Sequence, residues 1–364
     1  MSEIWFLNPQ IYQINKMINK KNKKKPILKY SLLGCGALLI AGVLILTWFI
    51  LSLFSKSDTI EPTPYHPFKS AKAKEKYLRY YEKRSQQWPV VYEDRMIKTS
   101  QGETFVRISG QHNAPPLVLL AGTSATSLLW IPNVKMLSEN FKVYAIDNIY
   151  DFGRSRNTQV FKTPGDLMIW LDELFSVLES GNKINLMGLS YGGWLASQYA
   201  LHSPKRLQKV VLIAPAATIF DLPGEWAWRG ILSAIPIKII MKKVMIDWAF
   251  KALSAKGDEA SQTVINDMMN DALMALKCFK FKMPIHPTIL SDNELRRISI
   301  ATLFLVGENE VIYSAQEAIG RLNSVAPQIK TELIPNAGHD LTIVQSILVN
   351  NKVVEFLKQP QNSE

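Results

Sequence analysis

Ser190 lies in a pattern that can turn a serine hydroxyl into a nucleophile. The pentapeptide Gly188-Leu-Ser-Tyr-Gly192 follows the apolar run 184–187 and precedes a helix-like run that starts at Gly193. This is G-x-S-x-G in the strand, turn and helix context that exposes a serine at the end of a strand. Glycine suits both outer positions because a larger side chain would crowd so tight a turn. The helix N-terminus also favours negative charge beside the serine.

A serine hydroxyl is a weak nucleophile at neutral pH, so it needs a neighbouring base that accepts its proton. The chain has five histidines. Of these, His339 follows a late predicted strand, in the small-residue turn Asn336-Ala-Gly-His339, from which its ring can reach toward Ser190. We therefore predict that His339 is the base.

An acid must hold the histidine ring and stabilise its charged form. Glu310 is the first choice because Gly307-Glu-Asn-Glu310 is a turn directly after a predicted strand. The order Ser, Glu, His along the chain is the order associated with this serine turn. Glu308 and Asp221 are alternatives for the acid, whereas Asp340 is predicted to cap the final helix.

Acyl transfer also needs N–H donors for the negative oxygen that develops on the substrate. The N–H of Tyr191, directly after the serine, is one candidate. The N–H of Thr123, in the turn after the apolar strand that ends at Ala121, is the second. We predict these two backbone groups as the oxyanion hole.

The elements that would position these residues alternate between strand and helix from Val90 onward. This alternation predicts an α/β fold with a mostly parallel sheet and helices on both faces. Ligands in such sheets gather at the carboxyl ends of the strands, where the candidate residues lie. The predicted strands are 95–99, 104–109, 116–121, 141–146, 184–187, 208–214, 301–306 and 330–334, and the predicted helices of this part are 130–138, 164–179, 193–202 and 341–357.

Residues 215–296 are too many for a simple connection between two strands, and we predict that they form a helical cap. Three helices are expected there, at 226–234, 236–253 and 262–279. Their Trp and Met residues suit an adaptable apolar pocket wall and suit an ordinary helical core equally well. Helix 236–253 mixes bulky apolar residues with three lysines. It either touches a membrane or packs on the domain as an amphipathic helix.

Residues 31–54 form a stretch of 24 residues without a charge. At about 1.5 Å per helical residue it can cross a hydrocarbon core of about 30 Å. The preceding segment, residues 1–30, is rich in lysine, and the positive-inside rule places it in the cytoplasm. The sequence therefore predicts a single-pass membrane protein with its catalytic domain on the other side. A cleavable signal peptide is the competing interpretation.

The charge distribution argues against nucleic acid as a partner. Of the net charge of +11, residues 1–30 contribute +6 and residues 56–84 contribute +4, which leaves +1 for the rest of the chain. The excess therefore flanks the apolar stretch instead of marking the folded domain. Residues 55–87 are predicted as a linker followed by a charged helix at 69–87. A solvated helix face is the default interpretation of that helix, and a position over the domain or near lipid headgroups is the alternative.

Taken together, Gly188–Gly192, Gly122-Thr123, Gly307–Glu310 and Gly338-His339 resemble the α/β-hydrolase fold family, in particular small bacterial carboxylesterases. The resemblance runs from Trp88 to Leu357, with residues 88–214 and 297–360 as the core. The chain departs from the common family pattern at Ala121, where histidine is frequent, and in having a glutamate as the acid.

The resemblance implies a triad of Ser190, Glu310 and His339, with Thr123 and Tyr191 as oxyanion donors. It implies hydrolysis of small-molecule or lipid-like acyl esters through an acyl-enzyme, without metal or cofactor. An amidase, a lipase or an acyltransferase would use the same residues. A domain of this fold without catalytic activity, acting as a membrane-tethered binding module, is the alternative from another functional class.

Overall fold

The computed structural model describes residues 63–224, 258–280 and 285–360, together with Gly42, Leu44, Thr47 and Ile60. The chain divides into two compact units, residues 1–58 and residues 59–364. The predicted tail 1–30, nearly all of the predicted anchor 31–54, and the predicted cap helices 226–234 and 236–253 lie outside the described residues. Within the described part of the chain, no helix is both long enough and apolar enough to cross a membrane.

Among the described residues, a sheet of nine strands forms the centre of the second unit. Its main path is β1-β2-β4-β3-β6-β7-β8-β9, with β5 paired to β2 beside it. The pairs from β4 to β9 are parallel, whereas β2 is antiparallel to β1, β4 and β5. The mostly parallel sheet predicted from the alternation is thus confirmed. The strands are Tyr92–Thr99, Gly102–Ser109, Pro116–Leu120, Lys142–Ile146, Arg156–Asn157, Ile184–Leu189, Leu207–Ile213, Thr302–Gly307 and Ile329–Ile334.

Helices cover both faces of this sheet. Successive residues of a strand point to opposite faces, so Leu117 and Leu119 join one buried cluster while Val118 and Leu120 join the other. Both clusters are apolar, as expected for strands buried on two sides. The helices of the described residues are α1 to α9 in chain order: Ala71–Ser85, Ile131–Ser138, Pro164–Leu178, Tyr191–His202, Glu259–Cys278, Asp292–Arg297, Ala315–Val325, Leu341–Val344 and Ser346–Lys358.

The helix predicted at 69–87 is α1, and it lies over the domain. Its N-cap Ser70 accepts a hydrogen bond from the Ala73 N–H, which fixes its start. Tyr77 and Tyr81 are buried in the core cluster of one sheet face. The helix therefore has an inner face that packs and an outer face that is solvated.

The chain's final helix differs from the prediction. The single helix expected over 341–357 is broken at Gln345 into α8 and α9. The expected capping role of Asp340 is wrong, since its side chain makes no hydrogen bond to the helix and instead accepts one from the Gly338 N–H at 3.2 Å. The break leaves α8 as a single short turn of helix just after the histidine turn 336–339.

We expect Gly188→Ala to destabilise the protein strongly. A Cβ atom at Gly188 would lie 2.0 Å from the carbonyl oxygen of Gly192, a clash with backbone that no rotamer relieves. Overpacking of this kind costs about 1–3 kcal/mol or more in the free energy of unfolding. Gly320→Ala in α7 is the matched control, because nothing lies within 4 Å of its added Cβ.

Alanine has a better helix propensity than glycine, so the control should gain about 0.5–1 kcal/mol. Chemical denaturation of both variants measures the two effects. Equal stability of Gly188→Ala and the parent protein would show that the turn can relax, contrary to this account.

Candidate active site

Ser190 occupies the turn between β6 and α4 in a strained backbone conformation. Its φ is +56° and its ψ is −116°, which lies in the left-handed half of conformational space that a residue with a side chain rarely occupies. The neighbouring strand holds it there, because the Ser190 N–H donates to the carbonyl oxygen of Ile213 at 2.9 Å. The carbonyl of Ser190 accepts from the N–H groups of Trp194 and Ala216. The side chain is half-buried and therefore reachable.

The loops after β8 and β9 are tied to each other by short backbone contacts. The Asn309 N–H donates to the carbonyl oxygen of Ala337 at 2.8 Å. A Cβ on Gly307 would lie 2.4 Å from the carbonyl oxygens of both Ala337 and Gly338, so only glycine permits this approach. The approach brings the residues that follow, Glu310 and His339, together.

His339 and Glu310 form a buried pair. His339 Nδ1 lies 2.8 Å from Glu310 Oε2, and the two side chains are 10% and 0% exposed. Glu310 Oε1 accepts from the N–H groups of Val311 and Ile312, each at 2.9 Å. An ionised carboxylate can only accept, so Nδ1 carries the proton and Nε2 is left as the basic nitrogen. This is the tautomer that a general base needs.

The pair shifts both pKa values toward the charged forms. Burial lowers the pKa of His339, but the charge and hydrogen bond of Glu310, with a further contribution from Asp340, raise it above its ordinary value. Burial raises the pKa of Glu310, and His339 together with the N–H groups of Ile312 and Val311 lowers it below its ordinary range. Glu310 is thus an anion under neutral conditions, and it stabilises the imidazolium that proton transfer creates.

The alternative acids have other contacts. Glu308 Oε2 accepts from the Asn336 N–H at 3.1 Å and so helps to hold the histidine turn. Asp221 is exposed, and its carboxylate accepts from the N–H of Leu222. The histidine thus pairs with Glu310 and not with either alternative.

The turn that carries Thr123 lies against the serine. A Cβ on Gly122 would be 3.2 Å from Ser190 Cβ and 3.8 Å from Ser190 Oγ. Within the ranges that the structure describes, neither the Thr123 N–H nor the Tyr191 N–H has a hydrogen-bond acceptor. The first N–H groups of a helix have no partner inside it, which leaves that of Tyr191 free to bind an anion.

A buried carboxylate that sequence reasoning did not assign holds the segment that follows residues 122–124, which we call the oxyanion turn. Asp147 is fully buried after β4. Its Oδ1 accepts from the Ser127 N–H at 2.8 Å and from the Tyr81 hydroxyl at 3.1 Å, while Oδ2 accepts from the Arg154 N–H at 2.8 Å. Burial raises the pKa of Asp147, and these donors oppose the rise. The carboxylate therefore joins Ser127, just after the oxyanion turn, to α1.

Two further contacts join the oxyanion turn and Asp147 to the loop 147–155. The Ser124 N–H, directly after Thr123, donates to Asp151 Oδ2 at 2.8 Å. Gly153 has a φ of +125°, and a Cβ there would lie 2.4 Å from Asp147 Oδ2. A sequence signal for this arrangement existed in the loop 147–155, where an aspartate at the end of a strand is followed by a glycine and a serine. The contact with Tyr81 had no local signal.

Within the described residues, no group of three or more His, Cys, Asp or Glu side chains could hold a metal ion.

The strand order, the serine turn and the His–Glu pair define an α/β hydrolase. The model of the alpha/beta hydrolase family matches residues 117–346 of this chain, which therefore belongs to that family.

Two proteins of Bacillus subtilis (strain 168) are similar over most of their lengths. One is described as the uncharacterized carboxylesterase nap, 32% identical over 299 residues that cover 77% of this chain and 92% of the relative. The other is the carboxylesterase YbfK, 30% identical over 291 residues that cover 78% and 95%. The crystal structure of the naproxen esterase (carboxylesterase NP) from Bacillus subtilis superposes with a TM-score of 0.71 at 29% identity, covering 80% of this chain and 100% of the other.

The pH dependence of turnover should report the His339–Glu310 pair. The base must be neutral, so kcat/KM should fall as the pH drops through the pKa of His339, and this midpoint should lie above the ordinary value of about 6.5. Glu310→Gln removes the charge that raises this pKa. The midpoint should therefore move to lower pH, and kcat should fall by about 10³-fold or more.

Glu308→Gln is the matched control, since it neutralises an acid of the same loop that does not contact the histidine. Its midpoint should stay in place. A pH profile with the same midpoint in Glu310→Gln and the parent enzyme would contradict the assigned pairing.

Tyr81→Phe should slow turnover through the oxyanion turn. The change removes the hydroxyl bonded to Asp147 and to Ser127 Oγ, the latter at 2.8 Å. A hydrogen bond to a charged group contributes about 1.5–3 kcal/mol, so the free energy of unfolding should fall by about that amount. The Thr123 N–H in this turn is expected to bind the charged oxygen of the transition state more strongly than the neutral substrate. The loss should therefore lower kcat several-fold and change KM little.

Tyr77→Phe removes a hydroxyl from the same face of α1, and Tyr77 makes no hydrogen bond to the turn. Both parameters should stay near the parent values in this control. A stability loss in Tyr81→Phe without a loss of kcat would restrict the tyrosine to a purely structural role.

Proposed function

We propose that this chain is a membrane-anchored carboxylesterase that cleaves acyl esters through an acyl-enzyme on Ser190. The observation that carries the proposal is the buried 2.8 Å contact between His339 Nδ1 and Glu310 Oε2, in loops at the same sheet edge as the strained Ser190 turn. A domain that served only for binding would have no need of a strained serine, a correctly protonated histidine and a buried acid together.

The chemistry uses each of these groups in turn. Ser190 Oγ attacks the ester carbonyl carbon while His339 Nε2 takes the hydroxyl proton, and the carbonyl oxygen becomes an anion held by the N–H groups of Thr123 and Tyr191. Collapse of this intermediate breaks the bond to the alcohol oxygen, which receives the proton from His339. Water, deprotonated by His339, then attacks the acyl-enzyme and releases the carboxylic acid with a free Ser190. Glu310 holds the imidazolium throughout.

Carboxylic esters are the proposed substrate class because both Bacillus relatives are described as carboxylesterases. The triad alone would also suit an amide or an acyl-transfer substrate. The structure describes α5 and nearly all of α6 within the segment 215–296, and these helices support the helical character of the cap that we propose for this segment. We propose that residues 88–214 and 297–360 together form the α/β-hydrolase core beside this cap.

The membrane location rests on the sequence of the first unit. The uncharged residues 31–54 follow the lysine-rich residues 1–30, an arrangement typical of a single-pass anchor with its N-terminus in the cytoplasm. The described positions of the stretch, Gly42, Leu44 and Thr47, are helical. The proposed catalytic domain then lies outside the cytoplasm, joined by the linker in 55–87. Contact of the helix 236–253 with lipid stays a prediction.

Hydrolysis of p-nitrophenyl esters, from acetate to palmitate, tests the proposed activity. The full chain in detergent should release p-nitrophenol, and Ser190→Ala should lower kcat by about 10⁵-fold or more because the nucleophile is lost. Ser197→Ala is the matched control, since this buried serine of α4 only donates to the Trp194 carbonyl. It should keep nearly full activity.

The chain-length profile of the parent enzyme would show the size of its acyl pocket. Equal rates for the parent and Ser190→Ala on every ester would count against an esterase. Such a result would favour an amide substrate, acyl transfer or a binding module.

A further inference from the structure

Helix α1 has an inner face that is fully occupied by the domain. Arg84, 8% exposed at its side chain, forms ion pairs with Asp267 at 3.1 Å and Asp271 at 2.9 Å, both on α5. The Tyr80 hydroxyl also donates to Asp271, at 2.7 Å. With Tyr81 bound to Asp147, these contacts fix the rotation of α1 about its own axis. Its outer face is therefore held in a defined direction.

The outer face carries a line of cations. Residues at i, i+4, i+7 and i+11 share one side of a helix, and in α1 these are Lys72, Lys76, Arg79 and Lys83, all exposed. We call these four residues the basic stripe. At about 1.5 Å per residue, the stripe is about 16 Å long. A row of this kind presents its charges to a flat surface better than to a pocket.

The basic stripe contributes little to the fold. Among the described residues, the one ion pair that its members form joins Arg79 to Glu75, and these side chains are 72% and 64% exposed. Exposed pairs of this kind contribute about 0–1 kcal/mol to stability. The stripe is thus available for a partner.

Neighbouring cations extend the stripe onto α5. Burial raises the pKa of the Cys278 thiol, whereas the charges of Lys76, Lys69 and Lys277 lower it, so these three cations lie around one residue. Lys277 is exposed. Lys69 Nζ donates to the carbonyl oxygens of Leu276 and Lys277 at the end of α5. The positive surface therefore spans the contact between α1 and the helix of the proposed cap.

We infer that the basic stripe docks on the anionic phosphate headgroups of a lipid bilayer. The charges are complementary, and the stripe gives α1 a local excess of positive charge, whereas the residues from 85 onward carry a net charge of only +1. The linker 55–70 has 16 residues, at most about 3.5 Å each, and so keeps α1 within reach of the bilayer. This last point rests on the proposed anchor, whereas the docking itself needs no anchor.

The unit 59–364 is a suitable protein for the test. It is compact by itself, and the two Bacillus relatives match this chain over 92% and 95% of their own lengths, so the matched region corresponds to nearly complete proteins. A fragment that starts at Thr59 lacks the apolar stretch. Any binding to vesicles must then come from the folded domain.

Co-sedimentation with vesicles of phosphatidylcholine alone, or with added phosphatidylglycerol, measures the docking. The fragment should sediment with the anionic vesicles and stay in solution with the zwitterionic ones, and binding should weaken with salt. Changing all four residues of the stripe to Gln should reduce the partition coefficient by about 600-fold, since each charge near an anionic surface accounts for about fivefold. A variant with all four changed to Glu should not bind.

The matched control changes four exposed lysines elsewhere, Lys98, Lys135, Lys162 and Lys183, to Gln, and it should bind as the parent does. Hydrolysis of p-nitrophenyl acetate by every variant checks folding and separates failure of docking from failure of the proposed activity. Equal binding of the stripe variants and the parent, or equal sedimentation with both vesicle types, would overturn the inference. So would retention on a soluble polyphosphate without vesicle binding.

Discussion

The close approach of three backbone segments at the end of β6 is the constraint on which the site depends. Gly188 and Gly192 let the turn fold back on itself and let α4 start against β3, where a Cβ on Gly192 would meet the Leu120 carbonyl oxygen at 2.1 Å. The turn then forces Ser190 into its left-handed conformation. A hydrogen bond to Ile213 of β7 and one from Ala216, just after β7, hold that strain, so the position of the hydroxyl is set by the sheet and not by a flexible loop.

The second constraint is electrostatic, and it acts through burial. Glu310 is removed from water, yet two N–H groups and the His339 ring compensate its charge. Without such partners, burial would raise the pKa of the carboxyl group and make it neutral. Here the compensation keeps it ionised, and the ionised form in turn selects the histidine tautomer. The loop contacts through Gly307 and Ala337 are what allow this compensation to form.

The sequence was sufficient where the information is local. The alternation of apolar runs predicted eight of the nine described strands, with ends within about three residues, and missed the two-residue strand β5. The glycine spacing around Ser190 predicted the turn, and both signals follow from short-range sterics. The contact between Tyr81 and Asp147 joins residues 66 positions apart. No periodicity signals such a pair. Asp340 was misjudged because a residue before a helix usually caps it, whereas here the tight histidine turn offers it the Gly338 N–H instead.

Helix α1 joins these constraints to the surface of the molecule. Its Tyr81 contacts the carboxylate of Asp147, its Arg84 pairs with α5, and the basic stripe faces outward. A partner that binds the outer face therefore contacts a helix whose inner face, through Tyr81 and Asp147, holds the segment next to the Thr123 N–H. Because Asp147 is buried and has several donors, a small rotation of α1 would leave part of its charge unsatisfied, which is costly. In the proposed docking, a flat anionic surface contacts all four residues of the basic stripe at once, which leaves that rotation unchanged.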